Sequence, residues 1–220
     1  MSLWIKICGN TSLADANLAA QAGADAVGFV FAPSPRRVTS EAVATIVPQL
    51  PPTLEKIGVL VDASFDEITA TIETCSLTGV QLHFDASPEL TARLRMRFGA
   101  ALRILRVLHF ESSAAQKPDL VHDPNIDGIL VDSRTAEVIG GTGAVYDWSL
   151  ASDTLFHSDN APASHMIVAG GLTPENVAQA IAALHPWGVD VVTGVEAGPG
   201  RKDPAKVRAF IANARAASHK

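Results

Sequence analysis

The chain has 220 residues, of which 47% are hydrophobic, and it carries a formal net charge of −6 at pH 7. This length and composition suffice for one sizeable hydrophobic core, so we expect a single domain over residues 1–220. The acidic balance argues against nucleic acid as a partner, and no segment approaches the roughly 18 apolar residues that a membrane span needs. If the substrate carries a phosphate, local backbone dipoles and one or two arginines must hold it.

Short apolar runs alternate along the chain with longer segments of helical period, which is typical of repeated β-α units around a parallel sheet. The predicted strands are Leu3–Cys8, Ala26–Phe31, Glu55–Val61, Gly79–Leu82, Leu102–Val107, Gly128–Val131, His165–Val168 and Val189–Val192. The predicted helices are Leu13–Ala22, Glu41–Val47, Phe65–Thr74, Pro88–Phe98, Ala114–Val121, one near Trp148, Pro174–Leu184 and Pro204–Ala216. Eight such units favour a closed (β/α)8 TIM barrel over an open sheet, because closure leaves no exposed edge strand.

Two of the predicted helices begin at a proline. Thr173 and Asp203 can each cap a helix, and a proline suits the first helical position because its missing N–H would have no intrahelical partner there. We therefore expect helices to start at Pro174 and at Pro204.

The two cysteines of the chain stand in different contexts. Cys75 lies at a predicted helix end and is expected to be a small buried residue, the usual environment of a free cysteine. Neither cysteine belongs to a C-x-x-C motif or has histidines at zinc-binding spacing, so we expect a reducing, cytoplasmic location and no metal site.

The end of the first strand carries a candidate catalytic residue. In barrels of this kind the chemistry takes place at the C-terminal ends of the strands. A period of two places Trp4, Lys6 and Cys8 on one face, so that Cys8 should point into the barrel mouth. A free cysteine is often only a small buried residue, but the strand-end position and the glycine that follows favour a functional one.

The sixth strand ends in a carboxylate, Asp132. A strand-ending aspartate is often only a turn or cap residue, and the residues alone leave both interpretations open. The loop that follows, Ile139–Gly143, is rich in glycine and includes Gly141, so its backbone N–H groups can approach an anion.

Polar and glycine residues also follow the seventh and eighth strands. Gly170 and Gly171 follow the seventh, and Thr193 and Gly194 follow the eighth. Many barrels hold a phosphate on backbone amides at these two strand ends. The pattern predicts a phosphate site, although such glycines can also serve only to turn the chain.

Several motifs occur in a fixed order along the chain. They are Lys6–Gly9, Gly23–Phe31, Gly79–His83, Gly140–Gly143 with Tyr146–Trp148, Gly170–Val177 and Gly194–Glu196. Together they resemble the phosphoribosylanthranilate isomerase family of tryptophan biosynthesis, from residue 3 to about residue 211. The resemblance implies an Amadori rearrangement of N-(5-phosphoribosyl)anthranilate to 1-(2-carboxyphenylamino)-1-deoxyribulose 5-phosphate. It implies no cofactor and a phosphorylated aminosugar as the small-molecule partner. The sequence itself leaves the oligomeric state open between a monomer and a homodimer.

The resemblance also implies roles for two residues. Asp132 matches the general acid that protonates the furanose oxygen, which requires a pKa raised above the usual value near 4. Cys8 matches the general base that removes the C2′ proton. Because a thiol with a pKa of about 8.5 is little ionised at neutral pH, a positive charge from Lys6 or from the protonated Schiff base should assist Cys8.

Further residues are expected to contact the substrate by the same resemblance. Arg37 falls where the family binds the anthranilate carboxylate, a planar group that suits a guanidinium, although the neighbouring Arg36 is an alternative. Asp190 ranks below Asp132 as the acid. The other expected substrate-binding residues are Gln81, His83, Gly141, Gly170, Gly171, Thr193 and Gly194.

The chain departs from the common family pattern at three places. Phe84 stands where a glycine is common, Arg106 stands where a lysine is common, and Val192 with Thr193 replaces two serines. These changes bear on the phosphate and ring contacts rather than on the reaction class.

Two other functions remain open from the sequence. The first is that of another phosphosugar enzyme with the same barrel fold. A metal-dependent epimerase should show His and Asp ligands at several strand ends, which we do not expect here, and an indoleglycerol-phosphate synthase should have a catalytic lysine and an N-terminal extension before the first strand. The other is a non-catalytic barrel that binds a phosphorylated metabolite and needs neither Cys8 nor Asp132.

Overall fold

Eight parallel strands form a closed barrel in chain order, which confirms the predicted (β/α)8 architecture. The computed structural model describes residues 3–84, 86–110, 123–133, 147–156 and 165–218. The barrel strands are β1 (Trp4–Ile7), β2 (Ala26–Val30), β3 (Glu55–Leu60), β4 (Gly79–Leu82), β5 (Arg103–Phe110), β6 (Gly128–Ser133), β7 (His165–Val168) and β8 (Gly188–Val191). The barrel closes where β1 pairs with β8, and this register places Lys6 opposite Asp190.

Among the described residues, helices follow every barrel strand except β5, as the alternating pattern predicted. They are α1 (Leu13–Ala22), α2 (Ser40–Ile46), α3 (Phe65–Cys75), α4 (Pro88–Phe98), α5 (Trp148–Ala151), α6 (Val177–Leu184) and α7 (Pro204–Ser218). Helix α5 continues into one π-helical turn, Ser152–Phe156, and a short antiparallel pair, β9 (Glu196–Gly198) and β10 (Arg201–Lys202), follows β8. The predicted helix Ala114–Val121 lies outside the described residues.

Strand β5 is longer than its apolar pattern predicts. The pattern ends at Val107, whereas the strand continues to Phe110 and pairs with β6 over this length. Residue His109 lies opposite Asp132 in this register. The extension follows from the pairing, because ladder hydrogen bonds satisfy backbone groups of both strands that would otherwise need other partners.

Helix α6 begins three residues later than predicted, at Val177 instead of Pro174. The side chain of Asn176 accepts a hydrogen bond from the Thr173 backbone N–H at 2.7 Å and donates one to the Gly171 carbonyl at 2.9 Å. These bonds hold the segment before the helix as a turn. Pro174 therefore lies in this turn and does not start the helix. Pro204 is the first residue of α7, as predicted.

Two sets of apolar side chains pack on opposite sides of the barrel wall. The larger set fills the space between strands and helices and includes Ile5, Phe29 and Cys75, which confirms the prediction that Cys75 is buried. The smaller set faces the barrel interior and consists of Trp4, Ala26, Ile57, Leu105, Val107, Leu130, Ile167 and Ala169. Since Lys6 and Cys8 share the face of Trp4, they lie above this apolar layer, toward the C-terminal ends of the strands.

None of the described helices is both long enough and apolar enough to cross a bilayer.

Helix α4 offers a matched test of the packing between helices and barrel. Leu94 is fully buried in the larger apolar set, whereas Met96, two residues further on, is 84% exposed. We expect Leu94→Ala to lower the free energy of unfolding by about 2–5 kcal/mol, because it leaves a cavity. Met96→Ala should change it by less than about 0.5 kcal/mol. Urea denaturation measures both, and equal losses would contradict this packing.

Candidate active site

A cavity opens at the C-terminal ends of the barrel strands and brings together most of the predicted site residues. Its wall includes Cys8, Gln81, His83, Asp132, Gly170, Gly171, Thr193 and Gly194. Arg36 and Asp190 also line it. Two predicted residues are not among these: Arg37 lines a separate outer pocket with Thr39 and Asp62, and Gly141 lies outside the described residues.

Cys8 is a buried free thiol directly after β1. Its backbone N–H donates to the Val191 carbonyl at 2.9 Å, which ties it to the end of β8. The next turn is held by Asn10, whose buried side-chain amide donates to the carbonyls of Ile7 at 2.7 Å and Gly28 at 3.2 Å. The backbone around the thiol is therefore fixed by both neighbouring strands.

Gly28 makes the space that the thiol occupies. A Cβ atom at this position would lie 2.5 Å from the Cys8 Sγ, which is closer than real contacts allow, and 3.0 Å from the Lys6 Cε, which is an unusually tight contact. Gly28 had no predicted role of its own in the sequence. Its signal was a glycine inside an otherwise apolar strand, which often marks the close approach of another group.

Lys6 lies beneath the cavity as a fully buried cation. Its Nζ donates to the Gln81 Oε1 and to the Asp190 Oδ1, each at 2.8 Å. Burial alone would lower the pKa of Lys6, but the carboxylate of Asp190, with a smaller contribution from Cys8, outweighs burial and raises it. Lys6 is therefore an ammonium at neutral pH, and Asp190 balances its charge.

The same ion pair determines the state of the Cys8 thiol. Burial raises the pKa of Cys8, the nearby charge of Lys6 opposes this effect, and the charge of Asp190 adds to it. The net result is a pKa above the ordinary value. In the unliganded site at neutral pH, Cys8 is thus predominantly a thiol.

A second buried ionic cluster supports the adjacent wall. Arg36 donates from Nε and Nη2 to the two carboxylate oxygens of Glu196 at 2.8 and 2.7 Å. Lys202, in β10, donates to the same carboxylate at 3.2 Å and to the carbonyl of Cys8. Burial would raise the pKa of Glu196, but Arg36 and Lys202 outweigh it, so that the pKa is lowered and the residue is a carboxylate.

This cluster was only partly visible in the sequence. Glu196 belongs to the Gly194–Glu196 motif, but no sequence pattern predicts a role for Lys202, because its contact depends on how the β9–β10 pair folds back. The structure also separates the two adjacent arginines. Arg36 is buried at the cavity wall, whereas Arg37 is exposed and its backbone N–H donates to the Ser34 carbonyl.

Asp132 lies at the end of β6 beside two histidines. One ligand atom from each of His83, His109 and Asp132 lies within 4.8 Å of the others, and all three residues are half-buried. The expectation that His and Asp side chains would not gather at several strand ends is therefore wrong. It missed His109, because β5 extends beyond the predicted end at Val107.

The loops after β7 and β8 touch one another closely. A Cβ atom on Gly194 would lie 1.9 Å from the carbonyl oxygen of Leu172, so only glycine fits there. Gly170 and Gly171 both adopt positive φ angles, 76° and 63°, which glycine tolerates without strain. The two loops consequently form one continuous wall of the cavity, on the side where the sequence predicted a phosphate.

Known proteins are similar to this chain in sequence and in fold. A sequence model of N-(5'phosphoribosyl)anthranilate (PRA) isomerase matches residues 5–213. The N-(5'-phosphoribosyl)anthranilate isomerase of Geobacter sp. is 44% identical over 213 residues, which make up 96% of this chain and 97% of that protein.

Solved structures agree with the sequence comparison. Phosphoribosyl anthranilate isomerase from Thermotoga maritima has a TM-score of 0.81 at 34% identity, covering 97% of this chain and 99% of that chain. A phosphoribosyl anthranilate isomerase in complex with reduced 1-(o-carboxyphenylamino)-1-deoxyribulose 5-phosphate has a TM-score of 0.78 at 31% identity, with the same coverage of 97% and 99%. The chain therefore belongs to the N-(5'-phosphoribosyl)anthranilate isomerase family, whose members catalyse the Amadori rearrangement of tryptophan biosynthesis.

Proposed function

We propose that the family's rearrangement of N-(5'-phosphoribosyl)anthranilate takes place in the described cavity, with Asp132 as general acid and Cys8 as general base. The observation that carries the proposal is that the two side chains line one cavity together with the glycine loops after β7 and β8. A relative that is 31% identical binds a reduced form of the aminoketose, which supports a ligand of the same class here. The sensor or scaffold alternative would require neither side chain.

The first step opens the furanose ring. Asp132 delivers its proton to the ring oxygen while the lone pair of the anthranilate nitrogen expels the C1′–O bond, which leaves a protonated Schiff base and an Asp132 carboxylate. The half-buried position of Asp132 at the strand end supports this role, because the carboxyl group reaches the cavity without full exposure to water.

The second step removes the proton from C2′. The Cys8 thiolate takes this proton, and the electrons of the C2′–H bond form the C1′=C2′ double bond of the enolamine as the iminium group becomes an amine. A proton is then added at C1′ and the C2′ hydroxyl group loses its proton, which gives the ketone. The substrate gains two protons, at the ring oxygen and at C1′, and loses two, from C2′ and its hydroxyl group. No redox partner is needed, because C2′ is oxidised as C1′ is reduced.

The activation of Cys8 follows from the charges beneath it. Asp190 already balances the charge of Lys6, so this lysine alone does not make a thiolate in the resting site. The Schiff base brings one further positive charge when ring opening is complete. Lys6 and the protonated Schiff base were the two cations that could favour the thiolate. The Schiff base is the one that does so at the moment when the base must act.

We assign the anthranilate carboxylate to Arg36 rather than to Arg37. Arg36 lines the cavity, and the bonds to Glu196 use its Nε and Nη2, so that Nη1 remains for a ligand. The phosphate is assigned to the wall that contains Gly170, Gly171, Thr193 and Gly194, and Gly141 stays a predicted contact. The two free thiols, Cys8 and Cys75, support a reducing compartment, the cytoplasm.

Replacement of the acid and of the base tests these roles directly. Cys8→Ala and Asp132→Asn should each lower kcat by about 10²- to 10⁴-fold, because proton transfer is lost. The binding of a reduced product analogue should stay nearly unchanged. The matched control is Cys75→Ala, which removes the other thiol and should retain turnover. Loss of phosphoribosylanthranilate fluorescence measures the rates, and full activity in either active-site variant would refute its role.

The two adjacent arginines, Arg36 and Arg37, provide a test of substrate binding. Arg36→Met should lower kcat/KM by about 10- to 100-fold through a higher KM, because a charge-assisted hydrogen bond is lost. Arg37→Met should change kcat/KM by less than about threefold, as expected for an exposed side chain. Circular dichroism checks that both variants fold. A larger effect of Arg37→Met than of Arg36→Met would reverse the assignment.

A further inference from the structure

We propose that His83, His109 and Asp132 form a binding site for one divalent transition-metal ion of the Zn²⁺ type, and that the bound ion inhibits the isomerase. The binding half stands on the geometry of the three side chains. The inhibitory half rests on the proposed function, because it requires Asp132 to act as the proton donor.

The three residues come from three neighbouring strands of the barrel. His83 directly follows β4, and its backbone N–H donates to the Leu60 carbonyl at 2.9 Å, which fixes its position. His109 and Asp132 are register partners in β5 and β6, so their side chains leave adjacent strands at the same height. The site is therefore built on strands that pair along their length.

The distances between the side chains suit a metal after a small adjustment. The two imidazole rings lie 5.0 Å apart between centroids and are tilted by 49°, and one ligand atom of each residue lies within 4.8 Å of the others. Bonds of about 2.0–2.2 Å draw ligand atoms to about 3–3.5 Å from one another. Movements of about 1 Å, within reach of side-chain torsions, therefore close the site.

The donor set is typical of a specific class of ion. Two imidazoles and one carboxylate bind Zn²⁺ in catalytic sites and other first-row ions in related sites, and they leave a coordination position for water or a ligand. Mg²⁺ and Ca²⁺ prefer oxygen ligands and fit less well. Because His83 and Asp132 line the open cavity, an ion can enter from solvent.

Metal binding and catalysis then compete for one carboxyl group. The ion binds the Asp132 carboxylate and releases the proton that the carboxylic acid carried, so that metal replaces proton on the same oxygen. Without this proton, the furanose oxygen has no donor when the C1′–O bond breaks. The bound ion also occupies space at the cavity wall, and both effects lower turnover.

The test begins with direct binding, which does not depend on activity. The wild-type chain should bind one Co²⁺ per molecule with a visible d–d absorption spectrum, and Zn²⁺ should displace it in equilibrium dialysis. His109→Gln should weaken Co²⁺ binding by about 100-fold or more, because a ligand is lost, while His185→Gln, which changes a histidine at the end of α6, should leave it unchanged.

A thiol control separates this site from Cys8. Cys8→Ala should retain Co²⁺ binding, and the wild-type spectrum should contain no sulfur-to-cobalt charge-transfer band. Loss of binding in Cys8→Ala, or equal binding by wild type and His109→Gln, would overturn the proposed site.

The inhibition by the bound ion is measured with Zn²⁺ in the isomerase assay. Wild-type turnover should fall as the site fills and return on addition of EDTA, while His109→Gln should keep its basal turnover at the same Zn²⁺ concentration. Stoichiometric binding without loss of turnover would overturn the inhibition and count against Asp132 as the acid, yet it would leave the metal site standing. Absence of turnover in metal-free wild type would refute the proposed function alone.

Discussion

The buried ion pair between Lys6 and Asp190 is the interaction on which the site depends. The two residues are register partners at the junction of β1 and β8, so the pair exists only because the barrel closes there. Removing one partner of such a pair would leave an uncompensated buried charge, at a cost of about 3–5 kcal/mol. The pair lies above the apolar interior and below Cys8, and it therefore joins the stability of the closed barrel to the protonation state of the Cys8 thiol.

The residues around the ion pair hold the Cys8 thiol in place. Gly28 leaves room for the side chains of Cys8 and Lys6, and Lys202 donates to the Cys8 carbonyl from the other side. The Glu196 carboxylate joins Lys202 to Arg36, which places a guanidinium at the cavity wall. In the proposed function, the substrate carboxylate, the substrate phosphate and the reacting carbon therefore contact different residues of one cavity.

The sequence predicted the closed barrel, because alternation of apolar strands with amphipathic helices is a local pattern that repeats along the whole chain. Cys8 and Asp132 were candidates from their strand ends and from the family motifs, and both line the cavity. The extension of β5 to His109 was not, because it depends on pairing with β6 rather than on apolar pattern. The position of Arg36 was undecided for a similar reason: two adjacent arginines look alike until Glu196, 160 residues later, selects one of them.

The most direct test of this account is the titration of the Cys8 thiol in Lys6→Met, in a Cys75→Ala background that leaves one cysteine. The rate of alkylation by iodoacetamide is measured against pH, and mass spectrometry confirms the modified residue. Since the charge of Lys6 lowers the pKa of Cys8 more than the charge of Asp190 raises it, removing the ammonium should raise that pKa further and move the alkylation profile to higher pH. A profile that stays in place, or moves to lower pH, would contradict the role assigned to the ion pair.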